Sequence, residues 1–144
     1  MSFEVQFPFA SISLNDDNLP VKAVIKAWSP FIPGDEDQSG MPIAGLEYSF
    51  ENISKKAVEG TFSYNSRNFM SQGEVVNSIK PVKNGFILSS AGSEKFPERQ
   101  GEFAIFTDTE DTTVDHCWFR GGWFDGLTMI WNKLETGAVE GNRR

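Results

Sequence analysis

The sequence predicts an all-β protein, an antiparallel β-sandwich that is either complete or partial, with one short helix near the C-terminus. In several segments apolar and polar residues alternate, which is the period of a strand with one buried face. The 144 residues include 13 phenylalanines and 4 tryptophans, and aromatic side chains favour strands. Turn signals separate the alternating segments at the short intervals that are typical of sandwiches and barrels.

The alternation predicts the individual strands. It is clear in PVKAVIKAW (20–28) and MPIAGLEYSFEN (41–52), and it recurs in AVEGTFSYN (57–65) after a predicted hairpin turn. The Asn84-Gly85 turn signal predicts that the segments on either side of it form a hairpin. The other predicted strands are 74–82, 85–90, 101–107 and 113–119.

The predicted helix lies where the period of the apolar residues changes. In GGWFDGLTMIWNKL the apolar residues from Trp123 to Leu134 recur near helical spacing, and two glycines precede them. We therefore predict a short amphipathic helix over 123–134, in which Gly126 is unfavourable. The polar residues 135–144 are predicted to form a frayed tail.

Length, charge and hydropathy limit the possible classes of protein. A chain of 144 residues and 16.1 kDa is large enough for one domain with its own core. The net charge of −7 and the pI near 4.7 argue against a nucleic-acid partner, which requires a basic surface. No apolar run in the sequence approaches the length of about 20 residues that is needed to cross a bilayer. We expect neither a nucleic-acid partner nor a membrane-spanning segment.

The location of the protein stays open. The first ten residues, MSFEVQFPFA, lack the basic region and apolar core of a signal peptide. The single cysteine, Cys117, excludes an intrachain disulfide, so cysteine usage does not fix the redox compartment. Because a signal peptide can be removed during maturation, a cytoplasmic and a periplasmic or secreted location are both compatible with the sequence.

The acidic loop in WSPFIPGDEDQSG superficially matches the start of an EF-hand calcium loop. Asp35, Asp37 and Ser39 occupy the first three ligand positions. The bidentate glutamate belongs at position twelve, where Leu46 stands instead, and Glu47 comes one residue too late. Prolines on both sides also exclude the two helices that the motif requires. We therefore predict no metal site and interpret the segment as a solvated or interface loop.

The sequence identifies no catalytic residues or cofactor. Asp35 and Glu36 form a poor glycosidase carboxylate pair, because adjacent residues in an extended loop point apart. His116 and Cys117 are neighbours on a predicted strand, so their side chains would lie on opposite faces. One histidine and one cysteine cannot form a zinc site, and no phosphate-binding glycine loop is present.

The tryptophans are the other candidates for a function. Exposed tryptophans can stack on the apolar faces of sugar rings, although packing in the core is their commoner role. The four candidates for sugar contact are Trp28, Trp118, Trp123 and Trp131.

Most of the chain resembles a known family. The matching features are FPFA, LPVKA, AWSPFIP, an acidic loop that ends in Ser39-Gly40, MPIAGLEYSFEN, the asparagines of YNSRN and the character of GGWFDGLTMIWNKL. In this order and spacing they resemble the amino-terminal domain of glycoside hydrolase family 116. That family includes the non-lysosomal glucosylceramidases, also called bile-acid β-glucosidases, and bacterial β-glucosidases and β-xylosidases.

The resemblance implies that this chain and the catalytic residues belong to different domains of a longer polypeptide. In this family an amino-terminal β-sandwich packs against a carboxy-terminal (α/α)₆ barrel, and the glutamate nucleophile and aspartate acid/base of the retaining mechanism belong to the barrel. No part of these 144 residues corresponds to the barrel, so no catalytic residue can be carried over. The family's sandwich is also longer than this chain. Residues 1–144 are therefore expected to form a single sandwich domain or the first part of one.

Three hypotheses about function follow. In the first, the chain is a non-catalytic domain that supports the barrel of a retaining glycoside hydrolase and shapes its substrate entrance. In the second, it is a free-standing carbohydrate-binding module, and in the third a purely structural or interaction domain. The candidate residues at an entrance or interface are Trp28, Asp35, Glu36, Asp37, Trp123 and Asp125.

Overall fold

The computed structural model describes residues 1–71, 76–116 and 125–137. These residues form two antiparallel sheets and one short helix near the C-terminus, which confirms the predicted fold class. The chain divides into two compact units, Met1–Gly60 and Thr61–Arg144, and each unit contains one of the sheets.

The first unit is a four-stranded meander. Its strands are β1 (Ser2–Gln6), β2 (Phe9–Leu14), β3 (Val21–Trp28) and β4 (Gly45–Asn52), each paired antiparallel with the next. The strand predicted over 20–28 is confirmed as β3. The strand predicted over 41–52 is confirmed from Gly45 onward, and β1 and β2 were not predicted.

The register of the first sheet separates an apolar face from a polar one. Ile12, Ile25 and Tyr48 lie side by side on the apolar face and are half-buried. At the margins of this face Phe3 is 62% exposed and Phe50 is 55% exposed. The remaining apolar-face residues are Val5, Ala10, Leu14, Ala23, Ala27 and Leu46.

The strand predicted over 57–65 is wrong, and so is the hairpin turn before it. The chain has no regular structure there, and Phe62 and Tyr64 are about half exposed. After β4, the Asn52 side chain donates a hydrogen bond to the Lys56 carbonyl oxygen at 2.7 Å and accepts one from the Ser54 amide at 2.9 Å. This local turn satisfies backbone groups without a partner strand, so the alternation that follows it produces no sheet pairing.

The second sheet consists of β5 (Asn77–Val82), β6 (Gly85–Ala91) and β7 (Gln100–Phe106), with β6 in the centre. The predicted hairpin is confirmed, since Val82 pairs with Gly85 across a two-residue turn. Asn84 rather than Gly85 adopts the left-handed conformation, with a φ of 55°. Gly85 is needed because a Cβ there would lie 2.1 Å from the Ile105 carbonyl oxygen. The strand predicted over 101–107 is confirmed as β7.

The best-buried side chain belongs to the second sheet. Leu88, on the central strand, is fully buried between its cross-strand partners Ile79 and Phe103. Phe69 packs edge-on against Phe103 with ring centroids 5.0 Å apart. Asn68 anchors the same segment by donating to two carbonyl oxygens of β5 and β6, each at 3.2 Å. The segment around Phe69 thus covers one face of this sheet.

The helices are the one-turn helix α1 (Glu36–Ser39) and the longer helix α2 (Gly126–Glu135), which buries Ile130. The prediction of 123–134 was correct in type, but among the described residues the helix begins at Gly126, since Asp125 is its N-cap. Residues 113–116 of the strand predicted over 113–119 are not a strand. Cys117, Trp118, Trp123 and residues 138–144 of the predicted tail lie outside the described residues. In the described ranges no helix has the length and hydropathy to span a membrane.

Two neighbours on one face of β6 should respond to truncation with opposite signs. Leu88→Ala removes a fully buried side chain and should lower the free energy of unfolding by about 2–5 kcal/mol. Ser90 is 3% exposed and its hydroxyl has no partner among the described residues. Ser90→Ala should therefore be neutral or stabilising by up to about 1 kcal/mol. Urea unfolding at equilibrium measures both, and a large loss in Ser90→Ala would contradict the assignment.

Candidate functional site

Trp28 lies on the polar face of the first sheet and covers a glycine on the next strand. It is the last residue of β3, and its cross-strand partners are Phe9 on β2 and Gly45 on β4. A Cβ built on Gly45 would lie 2.2 Å from Cε2, 2.4 Å from Nε1 and 2.5 Å from Cζ2 of the indole. Cε2 is bonded to both Nε1 and Cζ2, and it is the nearest of the three atoms to the added Cβ. The indole therefore presents its face, not its edge, to Gly45.

The opposite face of the indole is left open. Trp28 is 42% exposed and Phe9 is 57% exposed, so the two aromatic side chains form a surface instead of a core. Gly45 makes this arrangement possible, because any larger residue would occupy the space of the ring. Packing an aromatic ring over a cross-strand glycine also shields backbone that a glycine leaves bare.

Two adjacent rows of side chains define the site. Gln6, Phe9, Trp28 and Gly45 lie side by side across the four strands, and we call them the aromatic row. One step along the strands, about 7 Å away, lies the polar row of Glu4, Ser11, Lys26 and Glu47. Side chains from both rows line an open depression of about 710 Å³.

The charged pair in the polar row is weak and accessible. Lys26 Nζ lies 3.9 Å from Glu47 Oε1, and the two side chains are 57% and 59% exposed. An ion pair with this exposure contributes little to stability, because solvent screens both charges. Both groups therefore remain able to exchange hydrogen bonds with a ligand that carries hydroxyl groups.

The loop after Trp28 is built around Asp35, which caps the one-turn helix α1 (Glu36–Ser39). Its Oδ1 accepts a hydrogen bond from the Gln38 amide at 2.9 Å, and its Oδ2 accepts one from Gln38 Nε2 at 3.0 Å. Ser39 closes the loop from the other side: its hydroxyl accepts from the Ile32 amide at 2.9 Å and donates to the Ile32 carbonyl oxygen at 3.1 Å.

The three acids of this loop have different roles. Asp35 is half-buried and its two carboxylate oxygens hold the loop, whereas Glu36 and Asp37 are exposed. Within residues 1–71, 76–116 and 125–137, no three histidine, cysteine or acidic side chains come together as a possible metal site.

An aromatic contact anchors the loop to the neighbouring turn. Phe31 packs edge-on against Phe7 with ring centroids 4.7 Å apart, and Phe7 lies in the turn between β1 and β2. This turn and the start of the loop both adjoin the aromatic row. Trp28 and the acidic loop, which the sequence analysis nominated separately, therefore belong to one end of the first sheet.

Asp125 is placed in the second unit as the N-cap of α2. Its Oδ1 accepts hydrogen bonds from the amides of Leu127 at 3.1 Å and Thr128 at 3.2 Å, and its Oδ2 accepts one from the Thr128 hydroxyl. The Thr128 hydroxyl, followed by the backbone amides, lowers the pKa of Asp125 below its ordinary value of 3.8. Trp123, the other candidate from this region, lies outside the described residues.

Sequence reasoning missed several contributors to these sites. Phe9 and Gly45 become significant only once the register places them beside Trp28. Asp115 was also missed: its side chain is 5% exposed and pairs with Lys133 of α2 at 3.4 Å. Its neighbour His116 is half-buried.

The geometry defines an antiparallel β-domain with an exposed aromatic and polar surface at one end of its first sheet. Comparison with known families places it more narrowly. Residues 1–143 match the family model described as "beta-glucosidase 2, glycosyl-hydrolase family 116 N-term". The chain therefore belongs to glycosyl-hydrolase family 116, as an amino-terminal domain.

One curated protein with detectable similarity is Protein Ycf2 of Jasminum nudiflorum. It is 28% identical over 119 residues, which cover 76% of this chain and 6% of Ycf2. The chain thus corresponds to a small part of the length of that relative.

Removing the cap of α1 should loosen the loop locally. In Asp35→Ala the Gln38 amide loses its acceptor, and we expect its hydrogen exchange to accelerate about fivefold, equivalent to about 1 kcal/mol. Asp35→Asn keeps an acceptor and should exchange nearly as slowly as the wild type. Amide exchange followed by NMR measures the effect, with Asp37→Ala as the matched control. Equal acceleration in that control would refute the role of Asp35.

The stabilisation that Asp125 provides as the N-cap of α2 should depend on pH. The folded-state pKa of Asp125 is lowered, so its charge stabilises the fold above the unfolded value of 3.8, and this contribution disappears as the pH falls through the folded value. Asp125→Asn keeps an acceptor without a charge, so its deficit against the wild type should shrink below pH 3.8. NMR titration of the Leu127 and Thr128 amides gives the folded pKa directly. A midpoint at or above 3.8 would contradict the mechanism.

Proposed function

We propose that this chain is a non-catalytic domain of a family 116 glycoside hydrolase that packs against a catalytic (α/α)₆ barrel in the same polypeptide. In this proposal the segment between β3 and β4, residues 29–44, contacts the barrel and forms part of the wall of its substrate entrance. Family membership as an amino-terminal domain supports the first part. The exposed apolar side chains of residues 29–44 support the second part, the contact with the barrel and its entrance.

The observation that carries the proposal is an ordered loop with uncovered apolar side chains. Phe31 and Ile32 are each 45% exposed, Met41 is 41% exposed and Ile43 is 52% exposed. A flexible solvated loop would be mostly polar, but the contacts of Asp35, Ser39 and Phe7 hold this loop in one conformation. Apolar groups that cluster on an ordered surface are typical of an interface.

The charges of the loop suit an entrance more than a catalytic centre. Glu36 and Asp37 are exposed and adjacent on a single helical turn. A general acid or base is normally tuned by burial or by a neighbouring charge. Acids at the mouth of a cleft can instead hydrogen-bond sugar hydroxyls or orient a barrel loop.

The test uses the polypeptide that carries these residues together with the barrel. Ile43→Asp places a charge in the proposed interface, and we expect a lower thermal midpoint and a lower kcat/KM towards an aryl β-glucoside. Leu19→Asp is the matched control: Leu19 is 57% exposed, but it lies in the β2–β3 connection at the opposite end of the sheet. The control should retain both properties.

The entrance role has its own signature. Glu36→Gln and Asp37→Asn should raise KM and leave kcat nearly unchanged, because contacts at an entrance bind the ground state and the transition state alike. The 144-residue chain alone should not cleave the glucoside. Turnover by the purified chain, or equal losses in Ile43→Asp and Leu19→Asp, would overturn the proposal.

A further inference from the structure

We propose that the aromatic row and the polar row of the first sheet form a saccharide-binding platform whose ligand is a gluco-configured oligosaccharide. The platform lies on the chain's own surface and needs no residue from a barrel. It therefore goes beyond the supporting role proposed above and can be tested independently of it.

The flat setting of Trp28 is the first argument. An indole that stands on edge offers a ligand a narrow rim, whereas here one face rests on Gly45 and the other face points away from the sheet. Phe9 extends the aromatic surface on the neighbouring strand, about 4.8 Å away. Flat aromatic surfaces with an open face bind apolar ligand faces, and a pyranose ring offers such a face in its axial C–H bonds.

The polar row supplies the second argument. A ring that stacks on Trp28 projects its equatorial hydroxyls sideways, parallel to the sheet. Lys26 and Glu47 lie in that direction, one strand step away, and provide both hydrogen-bond donors and acceptors. Their weak mutual pairing means that a ligand displaces little when it binds. Gln6, beside Phe9, adds a neutral group that both donates and accepts.

The configuration of the sugar follows from the same geometry. A gluco-configured ring has equatorial hydroxyls at C2, C3 and C4, so its C–H faces are free to meet the indole. An axial hydroxyl would point either into the indole or away from the polar row. The depression is open and extends across four strands, which suits several linked sugars better than one enclosed ring.

The probe for the experiment is cellotetraose, a linear β-1,4-linked glucose tetramer, titrated into the 144-residue chain and followed by ¹H–¹⁵N NMR. We expect the indole N–H signal of Trp28 to shift with a millimolar Kd, since a one-sided open site buries few ligand atoms. Trp28→Ala should weaken binding at least about tenfold. Trp131→Ala is the matched control, because Trp131 is 66% exposed but lies on α2 in the other unit.

Gly45→Ala tests the geometry without removing the tryptophan. The added methyl would occupy the space of the indole, so the ring should be displaced and binding should weaken although Trp28 is still present. If the spectrum of Gly45→Ala shows that the sheet is disturbed, Glu47→Gln replaces it: this variant keeps the platform and should weaken binding several-fold through the polar row alone.

Specific outcomes would overturn the inference. The platform does not exist if the Trp28 signal does not move, or if binding survives Trp28→Ala or is lost in Trp131→Ala. Equal affinity for a β-1,4-linked galactose tetramer, whose internal C4 substituent is axial, would refute the preference for gluco-configured rings. A loss of barrel packing, by contrast, would leave these titrations unchanged.

Discussion

The pairing of β3 with the strands on both sides places Lys26 beside Glu47, and Trp28 beside Phe9 and Gly45. Side chains alternate strictly along a strand, so a slip of one residue would move every one of these groups to the other face. The aromatic row, the polar row and the apolar face behind them are therefore three results of one register. The apolar side chains thus share one face of the sheet, and the saccharide platform proposed above lies on the other face.

The sequence contained enough information to predict the strands with many alternating residues but not to predict their partners. Alternation identified β3 and most of β4, and the Asn84 turn identified the β5–β6 hairpin. Segment 57–65 alternates equally well and forms no strand, because the Asn52 side chain closes a local turn directly after β4, and alternation alone does not encode a pairing partner. The strands β1 and β2 were missed since each is only five or six residues long and offers few repeats.

The candidate site shows the same limit at the level of single residues. Trp28 could be nominated from its residue type, but Gly45 gains its role only from lying opposite that tryptophan. The acids carried a local signal that predicts capping: Asp35 is followed three residues later by Gln38, and Asp125 by Thr128. Their roles as helix caps are thus local chemistry, whereas the platform depends on contacts between strands that are distant in sequence.

The order of strands in the first sheet determines where a further strand could be added to it. In the described part of the chain, no strand pairs with the outer side of β1 or of β4. Each of these borders presents a row of backbone amides and carbonyls that can accept one more strand. A strand added beside β4 would extend the row that ends at Gly45, and with it the apolar surface behind. One added strand would therefore enlarge the apolar surface and lengthen the aromatic row at the same time.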